Sequence, residues 1–434
     1  MPERPTSGDT RPPSNIFPRI AAMMLLQYWP LGVWAVTVGT YIGANTGEQG
    51  AAIFSAGFIG FSTISGAIGS LVSPLVFGFL SDRFLAADRL VALLHVGCAA
   101  AAWWMHSTDS EQWFFVALLL YWNCFNPSCS LTNKIALEHL SDPERQYPHA
   151  RLFATGGWIS AGLFIGVGWP WLFGAEIEST GVPLAIGAWS SLAMAAYALS
   201  LPRTRPMLAE RGGQQKDRRP TRGLASNRPL IGFLVIAALA VVPSMAYNNY
   251  ANLFLNWAGY PSPAALMTLG QLSDLMCLAA LPMLSARLGL SRVFFLGVLA
   301  WSVRYGLLTL ASSLGWTAAV YGAIIVHGPC YVFVYVAGVM IVDQLSGPAQ
   351  RGAAQGLNAI ATGGVGHLGG ALLVGFMQQA SLTPEGVSPP PYDWSTFWLA
   401  PAILSTATAV AFAMAFLVRG RAARRAAPDP QRAS

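Results

Sequence analysis

Charge is what this sequence lacks. Asp, Glu, Lys and Arg make up 10% of its 434 residues, where a soluble domain carries roughly a quarter. A chain so poor in charge cannot coat a water-facing surface, which argues against an ordinary soluble protein. Cysteine is also sparse. Cys98, Cys124, Cys129, Cys277 and Cys330 all lie in apolar stretches without a CxxC pair, so neither a disulfide framework nor a metal site is expected. The histidines His95, His106, His139, His149, His327 and His367 show no HxxxH or HExxH spacing, and there is no Walker loop. No cofactor and no ATP-driven step are expected, and the lack of a nucleophile–base or metal constellation speaks against an enzyme. The polar start, Met1 to Asn15, has no apolar h-region, so the first apolar segment is expected to be a retained helix rather than a cleaved signal.

Apolar length takes the place of charge. Hydrophobic residues make up 54% of the chain, and the mean hydropathy is +0.48. Twelve segments can be drawn: 17–43, 52–80, 88–106, 112–137, 150–173, 181–201, 229–256, 262–286, 291–311, 315–342, 352–379 and 395–418. Each is long enough to cross a bilayer core of ~30 Å, which takes ~20 helical residues. Lipid offers no partner to backbone polar groups, so the segments should be helices. The expected fold class is an all-α integral membrane protein of twelve transmembrane helices in two six-helix halves. The polar stretch "RTRPMLAERGGQQKDRRPTRG" falls between segments 6 and 7. It suggests an N-terminal bundle over 1–201 with its N-tail, a linker over 202–228 and a C-terminal bundle over 229–434. "FLSDRFLAADRLVAL" after segment 2 and "MLSARLGLSRVFFL" after segment 8 echo each other at equivalent places, as internal repeats of transporters do.

The basic residues give an orientation. Arg83, Arg89, Lys134, Arg145, the Arg203–Arg228 cluster, Arg287, Arg292, Arg351 and the Arg419–Arg432 tail all follow even-numbered segments. The opposite loops hold Glu48, Asp109, Glu111, Glu176, Glu178, Glu385 and Asp393, with no Lys or Arg. By the positive-inside rule both termini are cytoplasmic. The net charge of +6 then reflects orientation in a bilayer and calls for no nucleic-acid partner.

Polar groups inside apolar helices are the candidates for function. Asp274 is the one acid expected in mid-helix, where a carboxylate costs ~2.5–3.5 kcal/mol on insertion scales and by default marks a functional site. Gln271, three residues earlier, shares its face. In segment 5, Arg151, Thr155 and Trp158 are spaced i, i+4, i+7 on one face. Together they suit a flat heterocycle joined to a sugar, with the ring stacking and the hydroxyl and guanidinium bonding. Asn248 and Asn252 lie one turn apart in segment 7. Each has a plainer reading: a snorkelling end charge for Arg151, packing for Trp158, interhelical bonding for Asn248, and for Asp274 an ion pair with Arg304 or Arg151. "GGVGHLGG", Gly363 to Gly370, reads as close helix packing, and Asp343 as a structural charge at a helix end.

Resemblance adds to this. "GFLSDRFLAADR" looks like the loop signature of the major facilitator superfamily, with Gly78, Asp82 and Arg83 as its conformational elements. "LLQYWPLGVWAVTVGTYI", "RLFATGGWISAG", "GQLSDL", "AWSVRYGLL" and "QRGAAQGL", in this order over nearly the whole chain, resemble the nucleoside:proton symporter family within it. The resemblance implies a substrate site of Arg151, Thr155, Trp158, Asn248, Gln271 and Asp274, with Met245 where the family has Gln, and Tyr331 and Tyr335 nearby. It also implies an acid in segment 10, where this chain has Val332, so proton coupling would rest on Asp274 or be altered. The expected protein imports nucleosides with protons by alternating access, as a monomer in the lipid bilayer of a bacterial inner membrane. Alternatives are a carrier of another polar solute, such as a sugar or a drug-like compound, an uncoupled facilitator, or a non-transporting membrane receptor.

Overall fold

The computed structural model describes residues 16–47, 53–55, 57–71, 85–204, 224–347, 350–381 and 392–418, and the statements below concern these. Eleven helices are long and apolar enough to cross a membrane: α1 (Ile16–Ala44), α3 (Ala87–Ser107), α4 (Glu111–His139), α5 (Arg145–Phe173), α6 (Val182–Ser200), α7 (Arg228–Trp257), α8 (Pro263–Leu288), α9 (Leu290–Leu314), α10 (His327–Leu345), α11 (Ala353–Ala380) and α12 (Trp394–Phe416). A shorter apolar helix, α2 (Phe58–Leu71), stands where the second segment is expected. Gly78, Asp82 and Arg83, the expected loop motif, lie outside the described residues, as does most of the linker between α6 and α7.

Sequence chemistry sets the ends and breaks of these helices. The Ser110 side chain caps α4 by accepting from the Trp113 N–H. At α12 the Asp393 carboxylate accepts from the backbone N–H of Ser395 and Thr396 and from both hydroxyls. Those bonds hold its carboxyl below the usual carboxylate range. Helix α7 breaks at Val242–Pro243, because proline has no N–H to give and its ring crowds the carbonyl four residues back. Segment 10 is expected as one continuous helix but is two. Thr317–Ile325 ends first, and α10 restarts at His327. Pro329 is the cause, since the carbonyl it would crowd belongs to Ile325. Further along, Val332–Val336 widens into a π-turn, as do Phe164–Gly168 in α5 and Ile360–Gly366 in α11. Such turns gather at functional sites.

In the N-terminal half α1 packs on α5 and α6, and α3 packs on α4 and α6. In the C-terminal half α9 packs on α12, and α8 on α10. The outer surface presents Leu93, Val96, Trp103, Trp189, Leu199, Val235, Leu372 and Ile403, all exposed. Apolar surface of this kind is at rest in lipid and costly in water. The glycines of α11 behave as expected: Gly364 meets Leu71, Gly366 meets Val241 and Gly370 meets Met245, so backbones approach closely there.

The halves meet at one end through α1 on the second part of α7, α2 on α11, and α5 on α8. That end carries a polar clasp. Glu178, in the loop between α5 and α6, is only 6% exposed. Its Oε2 accepts from Asn252 Nδ2 at 2.9 Å and Asn256 Nδ2 at 3.2 Å, and its Oε1 accepts from the Ala264 N–H at 3.0 Å. Thr40 of α1 donates to Asn252 Oδ1 at 2.5 Å. Asn252 thus makes the cross-helix bonds expected of an amide in an apolar helix. Burial pushes the Glu178 carboxyl above the usual carboxylate range, and the three donated bonds pull the other way.

Candidate functional site

Asp274 sits in the middle of α8, and its surroundings come from three other helices. The partner at hand is neither Arg304 nor Arg151 but His327, whose Nε2 lies 3.6 Å from Asp274 Oδ2. His327 is the first residue after the break in α10. Its ring stacks on Tyr331 at 4.2 Å between centroids and stands 5.5 Å from the Tyr247 ring. The Tyr331 hydroxyl donates to Asn248 Oδ1. Asp274, His327, Tyr331 and Asn248 therefore form one connected row across α8, α10 and α7.

A full charge lies behind this row. Arg304 of α9 is 0% exposed. Its guanidinium lies 3.9 Å from the Tyr247 ring centroid and 4.9 Å from that of Trp301. Nε donates to the Ala323 carbonyl at 3.0 Å. Stacking between aromatic faces is what keeps a weakly hydrated guanidinium tolerable in a membrane helix. The terminal nitrogens of Arg304, Oδ1 of Asp274 and Nδ1 of His327 are buried without a hydrogen-bond partner in the described structure. Of these, Oδ1 of Asp274 is an acceptor that a polar substrate can satisfy.

The α5 candidates lie on a helix that packs against α8. The Arg151 guanidinium lies 4.6 Å over the Tyr28 ring of α1, so its cation is held against an aromatic face. Gly162 of α5 touches Ala264 and Thr268 of α8. From that contact the helices run antiparallel. At 1.5 Å per residue, Trp158 and Thr155 lie about 6 and about 10 Å along α5, and Gln271 and Asp274 about 4 and about 9 Å along α8. Arg151 is about 16 Å along, nearer the linker end. The Met245 side chain packs on Gly370 of α11. Val332 is buried and apolar, at the start of the π-turn. Tyr335, one turn past Tyr331, bonds Ser244 Oγ at 3.2 Å and His367 Nε2 at 3.3 Å.

The family model described as "Nucleoside H+ symporter" matches residues 15–421. The chain belongs to the nucleoside H+ symporter family. It is 31% identical over 407 residues to YegT of Escherichia coli (strain K12), covering 92% of this chain and 93% of that one. It is 27% identical over 430 residues to the xanthosine permease of the same organism, covering 93% and 96%. A crystal structure of a mutant of the nucleoside transporter NupG superposes with a TM-score of 0.82 at 23% identity, over 93% of this chain and all of that one. The fold is that of the major facilitator superfamily, and the chain is a multi-pass membrane protein.

Against that family fold, two polar features stand out that reading the sequence passed over. The first is His327, dismissed there because no second histidine sits at ligand spacing. The second is in the N-terminal half. Gln27 of α1 donates to Ser128 Oγ at 2.7 Å, and its Oε1 is 3.0 Å from Nε2 of the fully buried His95. The signal for both was available, since an ionisable residue inside an apolar segment is a candidate on that ground alone. Asp343 is a helix-end charge as expected, with Oδ1 2.8 Å from Arg351 Nε. A cleft of about 1040 Å³ at the α8–α9 turn is lined by Arg287, Arg292, Phe295, Met340, Gln344 and Phe416, and holds none of the candidate residues.

Proposed function

We propose that this protein imports nucleosides across a bacterial inner membrane by proton symport, with both termini in the cytoplasm. The observation that carries the reading is the mid-membrane carboxylate Asp274, joined to the His327–Tyr331–Asn248 row in a chain of the nucleoside H+ symporter family. In this reading the six-helix bundles, 1–201 and 229–434, rock about a central site, and the working unit is a monomer in lipid. Arg151, Thr155 and Trp158 hold the substrate from the α5 side. Asn248, Gln271, Asp274 and Tyr331 hold it from the other. A ribose offers vicinal hydroxyls, which a carboxylate and a primary amide on one helix face accept from and donate to at once. Stacking on Trp158 suits the base, because every base has a π-face. Met245 borders the site and bears on which base is preferred.

The test is binding of uridine, adenosine and a hexose to the purified protein at pH 5.5 and 7.5, followed by uptake into proteoliposomes with an inward proton gradient. Nucleosides should bind in preference to the hexose and accumulate. Asp274→Asn should abolish accumulation against a gradient. Hexose binding without nucleoside binding would replace the substrate assignment, and accumulation that survives Asp274→Asn would remove the carboxylate from the coupling step.

A further inference from the structure

The contact between α8 and α10 is built around one pair of side chains. Gly270 of α8 has no side chain where His327 sits, and a Cβ there would lie 2.9 Å from the His327 Cβ. Reciprocally, a Cβ on Gly328 of α10 would lie 2.4 Å from the Ser273 carbonyl oxygen. The Gly328 N–H, free of the helix ladder at the break before His327, donates to Ser273 Oγ at 3.2 Å. Two glycines and one backbone bond therefore dock the broken end of α10 on α8. The docking aims His327 Nε2 at Asp274 Oδ2, 3.6 Å away.

The charges around the pair are few. Arg304 of α9 lies behind Tyr247 of α7, within Coulombic reach of Asp274. Tyr247 itself, Cys277 of α8, and Cys330 and Tyr331 of α10 are the other titratable neighbours among the described residues. His367 of α11 is engaged with Tyr335, one turn away. With Asp274 ionised, His327 neutral and Arg304 protonated, the group is neutral. One added proton has two acceptors facing each other, the carboxylate and the imidazole. Sites this close titrate as a pair, and the proton belongs to both. Position 332, where the family resemblance implies an acid, offers only a buried valine.

We propose that His327 is the second half of the proton carrier, so that Asp274 and His327 together hold the one proton that moves with each substrate. This rests on the symport reading above. The proton enters from the side of higher proton concentration onto Oδ2 or Nε2 and is shared while α8 and α10 are docked. It leaves to the other side when relative movement of the two helices separates the pair. Only O–H and N–H bonds form and break. Broken helices in transporters commonly form the central substrate and coupling-ion site, and the break that frees His327 follows from Pro329.

The experiment is nucleoside-driven proton movement in proteoliposomes, read as protons moved per nucleoside moved, beside nucleoside counterflow, which needs no net proton transfer. His327→Gln keeps a hydrogen-bonding nitrogen at the position of Nε2 but cannot titrate. In that variant nucleoside should still move down its gradient, while nucleoside-driven proton movement falls to the level of protein-free liposomes and uptake loses its dependence on pH. His327→Asn, which keeps the Nδ1 position instead, serves as the second variant and should give the same result. A proton-to-nucleoside ratio and pH profile unchanged in either folded variant would overturn the proposal. Loss of counterflow in both folded variants would also overturn it, by making His327 a packing or substrate residue. Failure of the unmodified protein to exchange nucleosides would instead remove the symport reading on which this one stands.

Discussion

At the scale of single residues, the site joins groups that water would otherwise separate. Arg304 and Asp274 are each costly in a bilayer, and each is made tolerable differently. Arg304 lies between aromatic faces, while Asp274 faces an imidazole. Arg151 is held over Tyr28 in the same manner but is partly exposed, which leaves its donors for a ligand. Arg151→Ala should weaken nucleoside binding roughly ten- to a hundredfold, as expected for a hydrogen bond to a charged group worth about 1.5–3 kcal/mol. Calorimetry or a fluorescence titration of the purified variant measures this, and an unchanged affinity would leave Arg151 as a plain end charge.

An Asp in an apolar run is conspicuous, and so is an i, i+4, i+7 set of Arg, Thr and Trp. His327 and His95 are equally visible as ionisable groups within apolar segments, although no metal-ligand spacing singles them out. Glu178 was legible only as a loop acid, because nothing local to it says that a loop between α5 and α6 folds over the start of α8.

At the scale of elements, close approach of backbones does much of the positioning. Gly328 lies against the Ser273 backbone, and an added methyl there meets a carbonyl oxygen that cannot move alone. Gly328→Ala should push α10 off α8, lowering stability by ~1–3 kcal/mol as overpacking does. It should also lengthen the His327–Asp274 contact. Thermal unfolding in detergent reads the first effect, and nucleoside accumulation, expected to fall, reads the second. An unshifted melting temperature with normal accumulation would mean that the helices are looser than drawn. The breaks in α7 and α10 were within reach of the sequence, since Pro243 and Pro329 each forbid a bond to the fourth residue back. Drawing segment 10 through Pro329 as one helix gave hydropathy precedence over that rule.

At the scale of the whole molecule, the described structure is closed at the end where Glu178 bridges the halves. Opening that end for alternating access has to break three hydrogen bonds to one carboxylate. Closure buries Glu178 and raises its pKa, so closing takes up a proton between the ordinary carboxylate range and the raised value. The closed form should therefore gain on acidification. That gain is complete below the ordinary range and is lost as pH rises through the raised pKa. Spin labels at Ser179 and Ser262 should report a shorter mean separation at pH 5 than at pH 8. Glu178→Gln, a neutral mimic of the protonated acid that does not titrate, should flatten that response and hold the end closed at every pH. A pH response retained in Glu178→Gln would assign the effect to another group.

The sequence by itself determined that this chain lives in a bilayer, how many times it crosses, and which residue types it can carry there. Those follow from composition, segment length and the cost of charge in hydrocarbon, all of which are local and additive along the chain. It also singled out Asp274, because an acid in a membrane helix is an anomaly without any neighbours being known. Only the tertiary structure decided what Asp274 faces. Pairing it with His327 and not with Arg304 or Arg151 depends on which helix turns which face inward, and on Gly270 meeting His327 and Gly328 meeting Ser273 in space. The clasp at Glu178 was decided in the same way. Hydropathy places a residue along the membrane normal, and helix packing alone sets its place around it.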